Sequence, residues 1–243
     1  MPVTNAQTNT RIDEIADRIF RISTPVPPNP MLPAGFTFNQ FLILDDEPVM
    51  FHTGMRKLFP LVREAVATVM PVEKLRWVSW SHWEVDECGS LADWLAAAPN
   101  ARPLVGQISG AVNASDADRE PRMLADGETI EIGERRVRWH DAPHLPHGWD
   151  SGFLFEPSTR TLFCGDIFTQ PGAEHAPVTE HDVLGPSEAM RAAMDYYSNP
   201  RAAAAMLERF AMMEPALLAC MHGASYRGDG AVALRELAST LAK

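Results

Sequence analysis

The chain has 243 residues, 46% of them apolar and 22% charged, the balance of an ordinary globular protein with a sizeable core. Its net charge is −11, and the 32 acids and 21 bases form no basic stripe of the kind that binds nucleic acid. No apolar run reaches the roughly 20 residues that span a bilayer, and the amino terminus lacks a secretion signal's basic-then-apolar order. Cys88, Cys164 and Cys220 are odd in number and far apart, which suits a reducing compartment better than a disulfide framework. The expectation is a cytoplasmic protein whose partners include neither membrane nor nucleic acid.

In chain order, strands are expected at "RIFRIS" (18–23), "FTFNQFLIL" (36–44) and, after the turn "DDE", "PVMFH" (48–52). The prolines of "TPVPPNPMLPAG" (24–35) mark a loop between strands. Leu58, Leu61, Val62, Ala65, Val66 and Val69 recur at helical spacing and predict a helix over 56–70. A short apolar strand follows at 75–80, and a second helix opens near 89. Two hairpins come next, "ETIEIG" with "RRVRWHDAP" and "GFLFEP" with "TLFCGD". Helices at 186–197, 200–213 and 229–242 fill the last third, with one strand, "ALLACMHG", among them. Strands and helices alternate in two blocks, each closing on a helix. This fits two sheets packed together with helices outside, in a single domain over 1–243.

Chemistry-bearing residues gather where strands give way to loops. "SHWEVDECGS" (81–90) supplies His82, Glu84, Asp86 and Glu87. Burying its three acids without a cation costs several kcal/mol per uncompensated charge. The acids therefore face water or hold metal. "PHLPHGWDS" adds His144 and His147, "LFCGD" ends in Asp166, and "LLACMHG" ends in His222. Imidazoles and carboxylates in this number suffice for two metal ions bridged by one carboxylate.

The order His-x-Glu-x-Asp, then His, Asp and a final His-Gly, resembles the metallo-β-lactamase superfamily. Within it, the chain is most similar to the diiron branch of flavodiiron and oxygen-binding diiron proteins, which carries Glu where the hydrolases have a second His. The resemblance runs from "FLILDDEPVMFHTG" to "MHGASYRG". It implies an α/β fold, the αββα sandwich of two mixed sheets with helices on the outer faces, and metals at the loops of one edge. It also implies that His82, Glu84 and His147 hold the first metal, Asp86 and His222 the second, and that Asp166 bridges them. His147 fits better than His144 because "HGWDS" matches the family's segment.

Two departures stand out. The family has His where this chain has Glu87, which either ligates the second metal or turns away and leaves it under-coordinated; ligation is carried forward. His52 stands where the superfamily usually has Asp, which changes a hydrogen-bond network. If all seven residues bind, three imidazoles and four carboxylates suit iron, with manganese or zinc as alternatives. The resemblance then implies binding or reduction of dioxygen or NO, with Glu87 lowering the reduction potential. Because no flavodoxin-like domain follows Lys243, a separate redox protein would deliver electrons, or the site would bind oxygen without turnover. Relatives commonly pair, so a homodimer is also implied. The alternatives are a lactone or thioester hydrolase using a metal-bound hydroxide and a signalling module holding one metal or none. The insert at 169–186, with His175 and His181, is either a lid or a solvent-exposed loop. Cys88, Cys164, Cys220, Tyr196 and Tyr197 are read as packing residues.

Overall fold

Two-residue alternation decides the layering of this chain. The computed structural model describes residues 3–114 and 117–242. Strands at Val3–Asn5 (β1), Thr10–Ala16 (β2), Ile19–Val26 (β3), Phe36–Ile43 (β4), Val49–Phe51 (β5), Trp77–Ser79 (β6), Arg102–Gly106 (β7) and Arg122–Leu124 (β8) lie side by side in chain order. They run antiparallel up to β5 and parallel beyond it. The second sheet uses Thr129–Glu131 (β9), Arg136–Asp141 (β10), Gly152–Glu156 (β11), Thr161–Phe163 (β12), Val178–Thr179 (β13), Leu217–Ala219 (β14) and Ser225–Arg227 (β15). Its order is β13-β15-β14-β12-β11-β10-β9. The helices are Phe59–Ala67 (α1), Val85–Cys88 (α2), Leu91–Ala97 (α3), Leu184–Met194 (α4), Pro200–Ala211 (α5) and Gly230–Leu241 (α6).

Every residue of β4 is buried, because its two faces meet different layers. Phe36, Phe38 and Leu42 pack with Val62 and Val66 of α1, whereas Phe41 and Ile43 meet Leu154 and Phe163 of the second sheet. On the far side of that sheet, Phe153, Phe155 and Leu162 pack against Leu207 and Phe210 of α5 and Leu234 and Leu237 of α6. The result is the αββα sandwich. Helix starts follow capping chemistry: Asn199 and Asp229 accept the Ala202 and Val232 amides, and Pro200 opens α5.

Some boundaries move and some strands are additional. α1 begins at Phe59, beside Pro60, after a tight turn over Arg56–Leu58. α4 ends at Met194 because Asp195 adopts a left-handed φ of 46°, so Tyr196 and Tyr197 lie past the helix. β2 and β7 have no counterpart in the expected elements. In β2 the reason is Asp13, a buried charge opposite Arg21 that breaks the apolar pattern. In β7, Pro103 sits within the run.

The site edge is set by parallel geometry. β10, β12 and β14 share one direction, so their C-terminal ends open at the same edge. The loop after β6 joins them, since the Gly152 amide donates to the Ser81 carbonyl at 2.8 Å. The buried indole of Trp139 locks this junction, and a Cβ on Gly152 would lie 2.0 Å from it, one on Gly106 2.7 Å. We therefore expect Gly152→Ala to cost about 1–3 kcal/mol by overpacking. It should lower the thermal midpoint by several degrees in calorimetry. An unchanged midpoint would show that the slot yields.

Candidate metal centre

The seven candidate ligands converge in two adjoining groups, His82, Glu84, His147 and Asp166 in one, and Asp86, Glu87 and His222 in the other. Each comes from a loop at the shared edge. His82 and Glu84 follow β6, and α2 carries Asp86 and Glu87. His147 lies between β10 and β11, Asp166 follows β12, and His222 follows β14. Thr53, beyond β5, holds α2 in place: its amide donates to the Glu87 carbonyl at 2.6 Å, and its own carbonyl accepts from the Ser90 hydroxyl at 2.9 Å. Gly148, with a φ of 78°, lets the His147 loop pass close over His82, where a Cβ would lie 2.9 Å from that of His82.

The side-chain atoms stand close together. Glu84 Oε2 lies 3.0 Å from His82 Nε2 and 2.9 Å from His147 Nε2. Asp166 Oδ2 stands 3.5 Å from His82 Nε2 and 3.3 Å from His147 Nε2, while its Oδ1 stands 3.4 Å from His222 Nε2. His222 Nε2 is 3.5 Å from Asp86 Oδ2. Atoms bound about 2.1 Å from one ion sit roughly 3 Å apart when adjacent, so the same spacing that makes these hydrogen bonds and ion pairs is compatible with ligands to an ion. Asp166 presents one oxygen to each group, the geometry of a bridging carboxylate.

Each imidazole is anchored through Nδ1, leaving Nε2 for the centre. His147 Nδ1 donates to the Tyr196 carbonyl at 2.9 Å, and His222 Nδ1 to the Thr37 carbonyl at 2.8 Å. Ser81 Oγ lies 3.0 Å from His82 Nδ1 and 3.0 Å from His52 Nε2. Complete burial drops His52 to about 3, so its Nε2 stays free to accept from the Ser81 hydroxyl, which in turn accepts from His82. The His at position 52 thus builds the hydrogen-bond network expected of that departure. Such partners fix ring orientation and raise ligand basicity.

Within the protein the cluster balances its charges only by pushing two of its acids toward the neutral form. The hydrogen bonds from His147 and His82 hold Glu84 down at about 2. Burial opposes the Asp166 charge, but the surrounding imidazoles, His222 first, keep its carboxyl far below the usual range. Burial also opposes the His147 imidazolium, yet Glu84 and Asp166 lift it to about 9. Asp86 and Glu87 go the other way: burial, followed for Glu87 by the charges of Asp166 and Asp86, raises both. Glu87 is wholly buried with neither oxygen hydrogen-bonded, and Asp166 Oδ1 has only the ion-pair contact with His222 Nε2 at 3.4 Å. Buried acceptors without donors, in a hard oxygen and nitrogen donor set, fit a pair of divalent or trivalent cations.

Other candidates lie outside this cluster. His144 is exposed, and His181 is exposed on the insert. His175 turns back to the Pro171 carbonyl at 3.2 Å, and the insert contributes edge strand β13, paired with β15. Cys88 donates to the Glu84 carbonyl at 3.0 Å, and burial lifts its thiol to about 12. The residues that sequence reasoning passed over are Ser81, Thr53 and the carbonyls of Thr37 and Tyr196. Carbonyls carry no side-chain signature, whereas Ser81, next to a candidate ligand, was a readable signal.

Comparison with known proteins shows the family and the fold. A family model described as "ODP family beta lactamase" matches residues 36–223. Rubredoxin-oxygen oxidoreductase of Megalodesulfovibrio gigas is 24% identical over 170 residues, covering 69% of this chain and 42% of that protein. The solved rubredoxin oxygen:oxidoreductase from Desulfovibrio gigas superposes with a TM-score of 0.80 at 20% identity, over 96% of this chain and 61% of that one. A mutant of the flavo-diiron protein from Thermotoga maritima gives a TM-score of 0.83 at 15% identity, over 96% of this chain and 61% of that one. The chain spans less than half the length of the curated relatives it matches. With three quarters of its length matched and the metallo-β-lactamase fold of flavodiiron cores, the chain belongs to the ODP family of beta lactamases.

Proposed function

We propose that this chain holds two iron ions and binds or reduces dioxygen, with NO as a second small ligand. The observation that carries the reading is Asp166, whose two oxygens face two ligand groups that together offer three imidazoles and four carboxylates. Oxygen-rich donors favour iron or manganese over zinc, which prefers more nitrogen. The names of the relatives support a redox role, since one is a rubredoxin-oxygen oxidoreductase. When bound, a ferrous pair supplies open coordination positions and electrons for a diatomic ligand.

The chain's own residues do the rest. His82, Glu84 and His147 would hold one ion, Asp86, Glu87 and His222 the other, and Asp166 would join them. Glu84 is the exposed member of the set and His147 is half-buried, so small molecules would enter on their side. A cavity of about 560 Å³ borders Glu84 and is walled by Trp83, Cys88, Leu91 and Leu95, a lining suited to an apolar diatomic. His52, Ser81 and the Thr37 and Tyr196 carbonyls keep the imidazoles aimed at the ions.

Within this reading a separate redox protein supplies electrons, residues 1–243 act as one domain, and the chain pairs as a homodimer in the cytoplasm. Among the described residues no helix is long and apolar enough to cross a membrane.

The first test is metal analysis of protein purified without oxygen. About two irons per chain, with a new near-ultraviolet or visible band on adding air, is the expected result. Zinc with no response to oxygen would replace the reading with hydrolysis of a lactone or thioester. Glu87→Gln separates ligation from packing. Removing a buried acid with a raised pKa should raise the thermal midpoint of metal-free protein, by roughly 2–4 °C per kcal/mol. The same change should lower iron content from about two toward one per chain. Full loading of the variant would show that Glu87 is not a ligand.

A further inference from the structure

Two of the three cysteines lie just past the strands that lead to the Asp166 and His222 loops. β12 and β14 pair in parallel with Phe163 opposite Ala219, so Cys164 and Cys220, the next residue on each, come side by side. Their sulfurs are 4.0 Å apart and both residues are fully buried. The Cys164 thiol points to the Ala219 carbonyl at 3.6 Å, and the Cys220 thiol to the Leu218 carbonyl at 3.7 Å. From each cysteine a single residue leads to a candidate ligand, Gly165 before Asp166 and Met221 before His222. Core packing alone does not call for two thiols in register on the two strands that deliver the bridging and second-site ligands.

Adjacent strands lie about 5 Å apart, within the Cα separation that a disulfide spans. Rotation about the Cα–Cβ bonds has to bring the sulfurs from 4.0 Å to about 2 Å. Both cysteines are fully buried, out of reach of oxidants in solution. An oxidant for this pair has to come from the site itself.

We infer that Cys164 and Cys220 form a two-electron dithiol reserve that closes to a disulfide when the iron pair becomes oxidised. The inference rests on the iron reading above. In the step, both S–H bonds break and one S–S bond forms. Two protons pass to water, and the two electrons reduce two ferric ions to ferrous, one each. The chain thereby carries one round of electrons of its own before an external donor is needed.

The test loads the full chain with ferrous iron anaerobically, adds one equivalent of dioxygen, and alkylates the denatured protein for peptide mass spectrometry. Mössbauer spectra of the same samples report the iron state. In the wild type, Cys164 and Cys220 should lose alkylation together and yield a cross-linked peptide, and Cys88 should remain alkylated. The iron should finish ferric, because one dioxygen going to two waters takes four electrons, two from the iron pair and two from the dithiol. Cys164→Ala and Cys220→Ala, lacking the dithiol, should release peroxide, and metal-free chain given the same oxygen should keep all three thiols. The wild-type cross-link decides the matter even where a variant does not fold. Three alkylated thiols beside ferric iron would overturn the dithiol reserve and leave the iron pair standing. A chain that takes up no iron, or whose iron oxygen leaves ferrous, would overturn both, and the metal analysis identifies that outcome.

Discussion

Repulsion among carboxylates is the constraint around which this molecule is arranged. Glu84, Asp86, Glu87 and Asp166 crowd one edge of the sandwich with three imidazoles. Two like charges 4 Å apart at an effective dielectric of 20 repel by about 4 kcal/mol. The protein tolerates this because the acids sit on rigid supports: Asp166 just past a strand end, and Glu84, Asp86 and Glu87 at and on a short helix pinned by Thr53. The acids then divide by environment. Two are held ionised by imidazoles and two are driven toward the neutral form by burial, so cations would have to displace protons from the cluster before all four acids could bind them.

The anchoring of the imidazoles complements that division. Two of the three Nδ1 atoms are tied to backbone carbonyls, which neither titrate nor rotate away, and the third is tied through Ser81 to a histidine too buried to charge. The carbonyls come from β4 and from the turn after α4, so the first sheet and the helical layer over the second share in aiming the ligands at one point. That cooperation explains why the indole of Trp139, remote from the acids, matters to their arrangement: it sets the distance between the sheets.

What could be read from the residues followed from pattern and local chemistry. β4 and α1 were legible because their apolar periods are clean, and the ligand set because its members fall where apolar runs stop. The seven side chains do meet in space, although what they bind is a matter for metal analysis. β2 was illegible because Asp13 and Arg21 place charge inside the sandwich, against the expected alternation. The tyrosines were misplaced onto a helix because the left-handed Asp195 that ends it is not a glycine. The role of Tyr196 rests on its carbonyl, which any residue would supply. Long-range closure, such as Thr37 meeting His222, leaves no trace in local spacing.

Arg21 carries a consequence of its own. This fully buried guanidinium on β3 reaches across the sandwich to the Gly223 carbonyl at 2.7 Å, beside Asn39, whose amide nitrogen donates to the Cys220 and Gly223 carbonyls at 2.9 Å each. The stretch that the family model recognises begins only at residue 36. A chain trimmed to that stretch would retain all seven candidate ligands, yet the turn bearing His222 would lose its Arg21 clamp. The boundary of recognisable ancestry and the boundary of mechanical integrity therefore fall in different places.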